Sequence, residues 1–190
     1  FMKITKTKIK DVYVISPEIL DDERGYFFES YRDEIIKEIF SDIHFCQENE
    51  SKSTFGVIRG LHYQMPPYAQ TKLVRVIQGA VLDIVLDIRK GSPSFGKYVE
   101  VELNEKNKSQ LLVPRGFAHG FVVLSEEAIF SYKVDNYYNP LSEANIAPND
   151  PELGIDWILP ETEWIQSDKD KKHPKLKDAF LFDYKQNLYV

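Results

Sequence analysis

The 190-residue chain reads as an all-β protein, an antiparallel barrel or sandwich with a few short helices. Three observations predict this. Short apolar stretches with a two-residue period recur at close spacing, as in Lys97-Tyr-Val-Glu-Val-Glu-Leu103. Turn signals such as Gln78-Gly79 and Glu105-Lys-Asn-Lys108 punctuate them. Aromatic residues make up 13% of the chain, a high share that suits pleated surfaces.

The elements follow in order. Residues 3–16 predict a strand pair broken near Lys10-Asp11. Asp21-Asp-Glu-Arg-Gly25 predicts a turn, where Gly25 is free to take positive φ. Tyr26-Phe-Phe-Glu-Ser-Tyr31 then reads as an aromatic strand, so N-terminal strands fill residues 3–31. Asp33 can cap a helix over 33–40, because Ile35, Ile36, Ile39 and Phe40 recur at helical spacing. The barrel core is expected over 45–140, with strands near 73–77, 81–88, 97–103, 110–113, 118–124 and 128–134. Residues 141–190 carry Pro148, Pro151, Pro160 and Pro174 and are expected to wrap the barrel in loops and short helical turns. No linker or repeat divides the chain, so residues 1–190 form one domain.

Bulk properties exclude several classes. A net charge of -6 argues against a general nucleic-acid surface or a polybasic membrane surface. No apolar run approaches membrane-spanning length and no signal peptide is visible. Cys46 is the only cysteine, which fits a reducing, cytoplasmic compartment. An anionic ligand would need its cations clustered against the overall field.

One stretch supplies such a cluster. Residues 57–74 hold Arg59, His62 and Lys72 among apolar strand residues, a combination suited to binding an anion and moving a proton. Lys72 shares a face with Val74 and Val76. An ammonium pointing into an apolar cup is costly unless a negative charge meets it. Strict alternation would put Arg59 and His62 on opposite faces, but a bulge at Gly60 could re-aim both. Tyr132 shares a face with Phe130 and Val134. Tyr137 and Tyr138 close the same segment, placed either to stack on a base or to cover the barrel mouth.

Pro114-Arg-Gly-Phe-Ala-His119 resembles the second motif of the cupin superfamily of jelly-roll barrels. Metal-binding cupins carry H-x-H and a glutamate in the first motif. Here Gln64 follows His62 and no glutamate appears before Glu100, so no metal is expected. The alternative for His119 is a hydrogen-bonded core residue.

A wider pattern then emerges. Arg24-Gly25, Phe28-Glu29, Gln47-Glu-Asn49, Ser51-Lys-Ser53, Arg59-Gly-Leu-His-Tyr63, Pro66-Pro-Tyr-Ala-Gln70, Lys72-Leu-Val74, Asp87-Ile-Arg89, Phe95-Gly96, Pro114 to Phe121, Tyr132-Lys133, Asn136-Tyr-Tyr138 and Ser167-Asp-Lys-Asp170 occur in order. Together they resemble the dTDP-4-dehydrorhamnose 3,5-epimerase family over most of the chain. Arg115 departs from the family's habit, and the last fifteen residues carry no recognised pattern.

The resemblance implies a jelly-roll (cupin) barrel, a homodimer, no cofactor, and a dTDP-4-keto-6-deoxy sugar as substrate. It implies His62 as base, Asp170 orienting its ring, Lys72 stabilising an enolate oxygen, and Tyr132 returning the proton. Arg24, Arg59, His119 and Lys169 would meet the phosphates. Glu29, Gln47, Glu48, Asn49 and Glu143 would hold sugar or nucleotide, and Tyr138 would stack on thymine. Arg24 and Glu29 would serve a site shared between subunits. Alternatives are a single-carbon epimerase on a related nucleotide sugar, a metal-dependent cupin, or a non-catalytic nucleotide-sugar-binding jelly roll.

Overall fold

The computed structural model describes residues 2–189. The chain opens with β1 (Met2–Lys6) and β2 (Tyr13–Pro17), the small hairpin β3 (Leu20–Asp22) and β4 (Gly25–Phe27), and helix α1 (Asp33–Ile39). The body follows as β5 (Gln47–Thr54), β6 (Ile58–Gln64), β7 (Lys72–Gln78), β8 (Ala80–Asp87), β9 (Arg89–Lys90), β10 (Tyr98–Asn104), β11 (Gln110–Val113), β12 (Phe117–Val123) and β13 (Glu127–Val134). The tail contributes β14 (Glu143–Asn145), three 3₁₀ turns and β15 (Phe182–Asp183). No helix among the described residues is long and apolar enough to cross a membrane.

Two antiparallel sheets face each other. One runs β1-β2-β11-β7-β13-β5 and the other β10-β8-β12-β6-β14. Their inner faces bury Val74, Val76, Val85, Leu111, Phe121 and Phe130 in one core. A second core lies behind the five-stranded sheet, where the tail covers Leu61, Tyr63, Leu82, Ile84 and Leu86 with Leu153, Trp157 and Phe182. Trp157 anchors this cover by donating from Nε1 to the Pro148 carbonyl at 2.9 Å. Every residue of β8 from Val81 to Asp87 is therefore buried. That accounts for the nearly unbroken apolar run there, where a sheet wet on one side would alternate. On the outer face of the six-stranded sheet, Ile36 of α1 packs with Ile15, Leu73 and Leu112.

Two N-terminal expectations are corrected. The aromatic strand stops at Phe27 and does not reach Tyr31. Asp33 is the first residue of α1 and no cap: it accepts from the Tyr31 hydroxyl at 2.9 Å and pairs with Lys37 at 2.6 Å.

Candidate active site

The site lies between the sheets, and strand parity places most of it. On β7, Lys72 shares the inward face of Val74 and Val76, while Leu73 points to α1. On β13, the inward face carries Phe130 and Tyr132. Register puts Tyr132 opposite Val74 and Val134 opposite Lys72, so both groups stand on one wall, with Lys72 Nζ 5.9 Å from the Tyr132 ring centroid.

The facing wall needs a break in parity. Strand β6 pairs with β12 so that His62 meets His119 and Arg59 meets Phe121. Between these rungs β6 has two residues, Gly60 and Leu61, where β12 has only Gly120. This one-residue bulge returns both Arg59 and His62 to the inner face. Gly60 takes φ +124°, and a Cβ there would lie 2.6 Å from Gly120 Cα and 2.8 Å from the His119 carbonyl oxygen, so only glycine fits.

Two adjoining cavities result. One of about 380 Å³ is lined by Gln47, Asn49, His62, Lys72, Tyr132 and Glu143, with Tyr138 at its wall. The other, about 150 Å³, adds Arg59 and His119 to His62, Lys72 and Tyr132. A larger hollow of about 670 Å³ lies elsewhere, beside Lys8, Arg89 and Tyr98, and none of the candidate residues lines it.

The tail completes the site. Asp170 Oδ1 lies 3.1 Å from His62 Nε2, and the Asp170 backbone donates to Ser167 Oγ at 3.1 Å. Burial works to raise the Asp170 carboxyl, but the His62 bond and the charges of His62 and His173 outweigh it, and the net shift is downward. Asp170 thus stays a carboxylate that can steady a charged imidazole. Lys169 donates to Glu143 Oε2 at 2.6 Å, and the Tyr138 hydroxyl donates to the same oxygen at 3.0 Å. Gln47 accepts from the Tyr138 backbone at 3.1 Å and donates to Asn49 Oδ1 at 2.9 Å.

Electrostatics follow from enclosure. Desolvation lowers the Lys72 ammonium to about 8, with Asp83 and then Glu143 opposing. Burial raises the Tyr132 phenol, so it keeps its proton at neutral pH. His119 Nε2 lies 2.9 Å from both oxygens of Asp83, a carboxylate wholly enclosed between the sheets.

Sequence reasoning missed two residues. Asp83 had a signal, a charge inside the apolar run 81–88 with the parity of Val81 and Val85. His173 had none, since it sits in the loop-rich tail, yet its Nε2 lies 3.2 Å from Asp170 Oδ1. Three expected residues are not brought to the cavity of this chain. Alternation along β5 turns Glu48 away from Gln47 and Asn49, to Ser131 at 3.0 Å and Lys133 at 2.6 Å. Arg24 rides the exposed β3–β4 hairpin with its side chain 85% exposed and paired to Asp22. Glu29 pairs with Arg32 at 2.7 Å. Gln64 is committed structurally: it donates to the Tyr68 and Tyr137 carbonyls and accepts from the Asn139 backbone.

The jelly roll thus carries an imidazole–carboxylate pair on one wall of its cavity and a phenol and an ammonium on the other, groups able to transfer protons. Comparison with known proteins narrows the class. A sequence profile described as dTDP-4-dehydrorhamnose 3,5-epimerase matches residues 6–178, and the chain belongs to that family. It is 48% identical over 182 residues to dTDP-4-dehydrorhamnose 3,5-epimerase of Shigella flexneri, covering 95% of this chain and 99% of the relative. It resembles the crystal structure of dTDP-6-deoxy-D-glucose-3,5-epimerase from Legionella pneumophila Philadelphia 1, in complex with dTDP-4-keto-L-rhamnose, with TM-score 0.93, 44% identity, and 98% and 100% of the two chains covered. A 3'-monoepimerase from Streptomyces bikiniensis in complex with dTDP-quinovose also shares the fold, with TM-score 0.83, 32% identity, and 90% and 86% covered.

Proposed function

We propose that this enzyme inverts carbons 3 and 5 of dTDP-4-dehydro-6-deoxy-D-glucose, giving dTDP-4-dehydro-L-rhamnose on the route to dTDP-L-rhamnose. The observation that carries the mechanism is the placement of His62 and Tyr132 on opposite walls of one cavity, with Lys72 beside Tyr132.

Both carbons flank the ketone, so removing either hydrogen gives an enolate. His62 takes the proton, and Asp170 holds the ring and stabilises the imidazolium. Lys72 meets the developing enolate oxygen inside an enclosed cavity, where a fixed charge acts strongly. Tyr132 returns a proton from the far wall, which inverts the carbon. Arg59, His119 and Lys169 take the diphosphate, Gln47, Asn49 and Glu143 the sugar or nucleoside, and Tyr138 stacks on thymine. Glu48 would act only indirectly, by fixing β5 to β13.

The assembly we favour is a homodimer. The β3–β4 hairpin exposes Leu20, Tyr26 and Phe27 beside Arg24, an apolar surface of the kind that seeks a partner. Arg24 and Glu29 would then serve the partner's cavity. Light scattering should give a dimer; a stable 22.1 kDa species at micromolar concentration would contradict it. The single cysteine and the metabolite substrate fit a cytoplasmic setting.

Incubation with the substrate in deuterated water, followed by NMR, tests the reaction. Label should enter at both carbons with inverted configuration. Label at one carbon alone would support the second reading, a single-carbon epimerase, which the likeness to a monoepimerase keeps in play.

A further inference from the structure

Asp170 is shared between two imidazoles. Its Oδ1 lies 3.1 Å from His62 Nε2 and 3.2 Å from His173 Nε2. One donor atom from each of the three residues lies within 4.8 Å of the others. The imidazoles meet edge to face with centroids 5.4 Å apart. The mechanism gives His173 no role, yet its side chain is only 2% exposed and neither ring nitrogen closes a hydrogen bond among the described residues. Its polar neighbours are Asp170 and the Gly60 and Ile146 backbone. A buried imidazole with polar neighbours but no well-formed hydrogen bond at either nitrogen calls for an explanation, a bound ion among them.

We propose that His62, Asp170 and His173 form a binding site for a divalent transition-metal ion of the zinc class, and that an ion bound there switches the base off. Two imidazoles and a carboxylate are a donor set that zinc accepts with its fourth position open. Bonds of about 2.0–2.2 Å in a tetrahedron put neighbouring donors roughly 3.3–3.5 Å apart, and two of the three pairs already stand at 3.1 and 3.2 Å. This cluster is distinct from the incomplete cupin motif, whose Gln64 is tied to loops. The inhibitory half of the proposal rests on His62 being the base. A neutral imidazole has one lone pair. In the working base Nε2–H faces Asp170 and Nδ1 holds that pair; a metal at Nε2 shifts the ring proton to Nδ1, and the ring cannot accept another from carbon.

The test uses chelator-treated full-length protein. Titration with Co²⁺ should give one ion per chain and the visible absorption of a four-coordinate site, displaced by Zn²⁺. Epimerisation should fall in proportion to zinc occupancy and return on chelation. His173→Gln should weaken both ions by about tenfold or more, since even a lost partner of a ligand costs about 10–100-fold. Should that variant fold poorly by circular dichroism, Asp170→Asn provides the same comparison. Absence of a stoichiometric cobalt spectrum, or unchanged affinity in a folded variant, would overturn the site. Cobalt bound with epimerisation undiminished would overturn the inhibition and identify the role given to His62, not the metal site, as the error.

Discussion

Two histidine–aspartate pairs face one cavity, and they are built differently. His119 and Asp83 come from neighbouring strands, β12 and β8, with side chains 7% and 0% exposed. His62 and Asp170 join a strand to the tail and are 31% and 11% exposed. The first pair is locked by sheet register and sealed from water, where an unpaired carboxylate would be costly. The second touches solvent and can exchange a proton with it between turnovers. On the proposed mechanism the sealed pair fixes a phosphate-binding histidine and the solvent-touched pair acts as the base, a division that follows their enclosure.

Breaking the solvent-touched pair should have the largest effect on turnover. His62→Ala removes the base, so solvent exchange at carbons 3 and 5 and epimerisation should fall together by about 10²–10⁴-fold. Undiminished exchange by NMR would place the base elsewhere. Tyr132→Phe sharpens the picture from the opposite wall. The enolate still forms over His62 and collapses back, so exchange should survive in part while inverted product drops by about 10²-fold. Equal loss of both would mean that Tyr132 is needed to form the enolate.

Stability should rank the pairs in reverse. Asp83→Ala leaves buried His119 unpartnered and should cost about 1–3 kcal/mol. Asp170→Ala leaves His62, 31% exposed and able to turn to water, and should cost less than Asp83→Ala. For a chain of this size each kcal/mol moves Tm by about 2–4 °C, so calorimetry resolves the two, and equal losses would erase the distinction. The smallest effect concerns Lys72, whose ammonium titrates at about 8. It is charged below that pH and neutral above, so kcat/KM should decline on the alkaline side near 8. Lys72→Arg stays charged throughout and should remove that limb; a limb unmoved in this variant belongs to another group.

Alternation made much of this legible. The inward faces of β7 and β13 follow directly from the spacing of Lys72, Val74 and Val76 and of Phe130 and Tyr132. The bulge at Gly60 was readable because a glycine stood where parity had to break. Asp83 went unnoticed because β8 is covered on both faces, which hides period-two patterning behind a continuous apolar run. Asp170 was found through its motif, but His173 was not, since 3₁₀ turns and loops have no periodicity to betray a buried ring. The last fifteen residues carried no pattern either, yet Arg115, the family outlier, fastens them. It bonds Asp135 at 3.2 Å and the Leu188 carbonyl at 2.6 Å, while its backbone donates to the Tyr189 hydroxyl at 3.1 Å. Such contacts depend on a tertiary path that local sequence does not encode.

The 108 residues separating His62 from Asp170 also set a timetable. At about 5–20 residues per second, a ribosome needs roughly 5–20 s to pass from one to the other. During that interval the nascent sheet has its histidine without its carboxylate, and for most of it without its outer cover. Leu61, Tyr63, Leu82, Ile84 and Leu86 stay bare until the tail emerges. The segment that brings Asp170 to His62 is thus also the one that buries this apolar face.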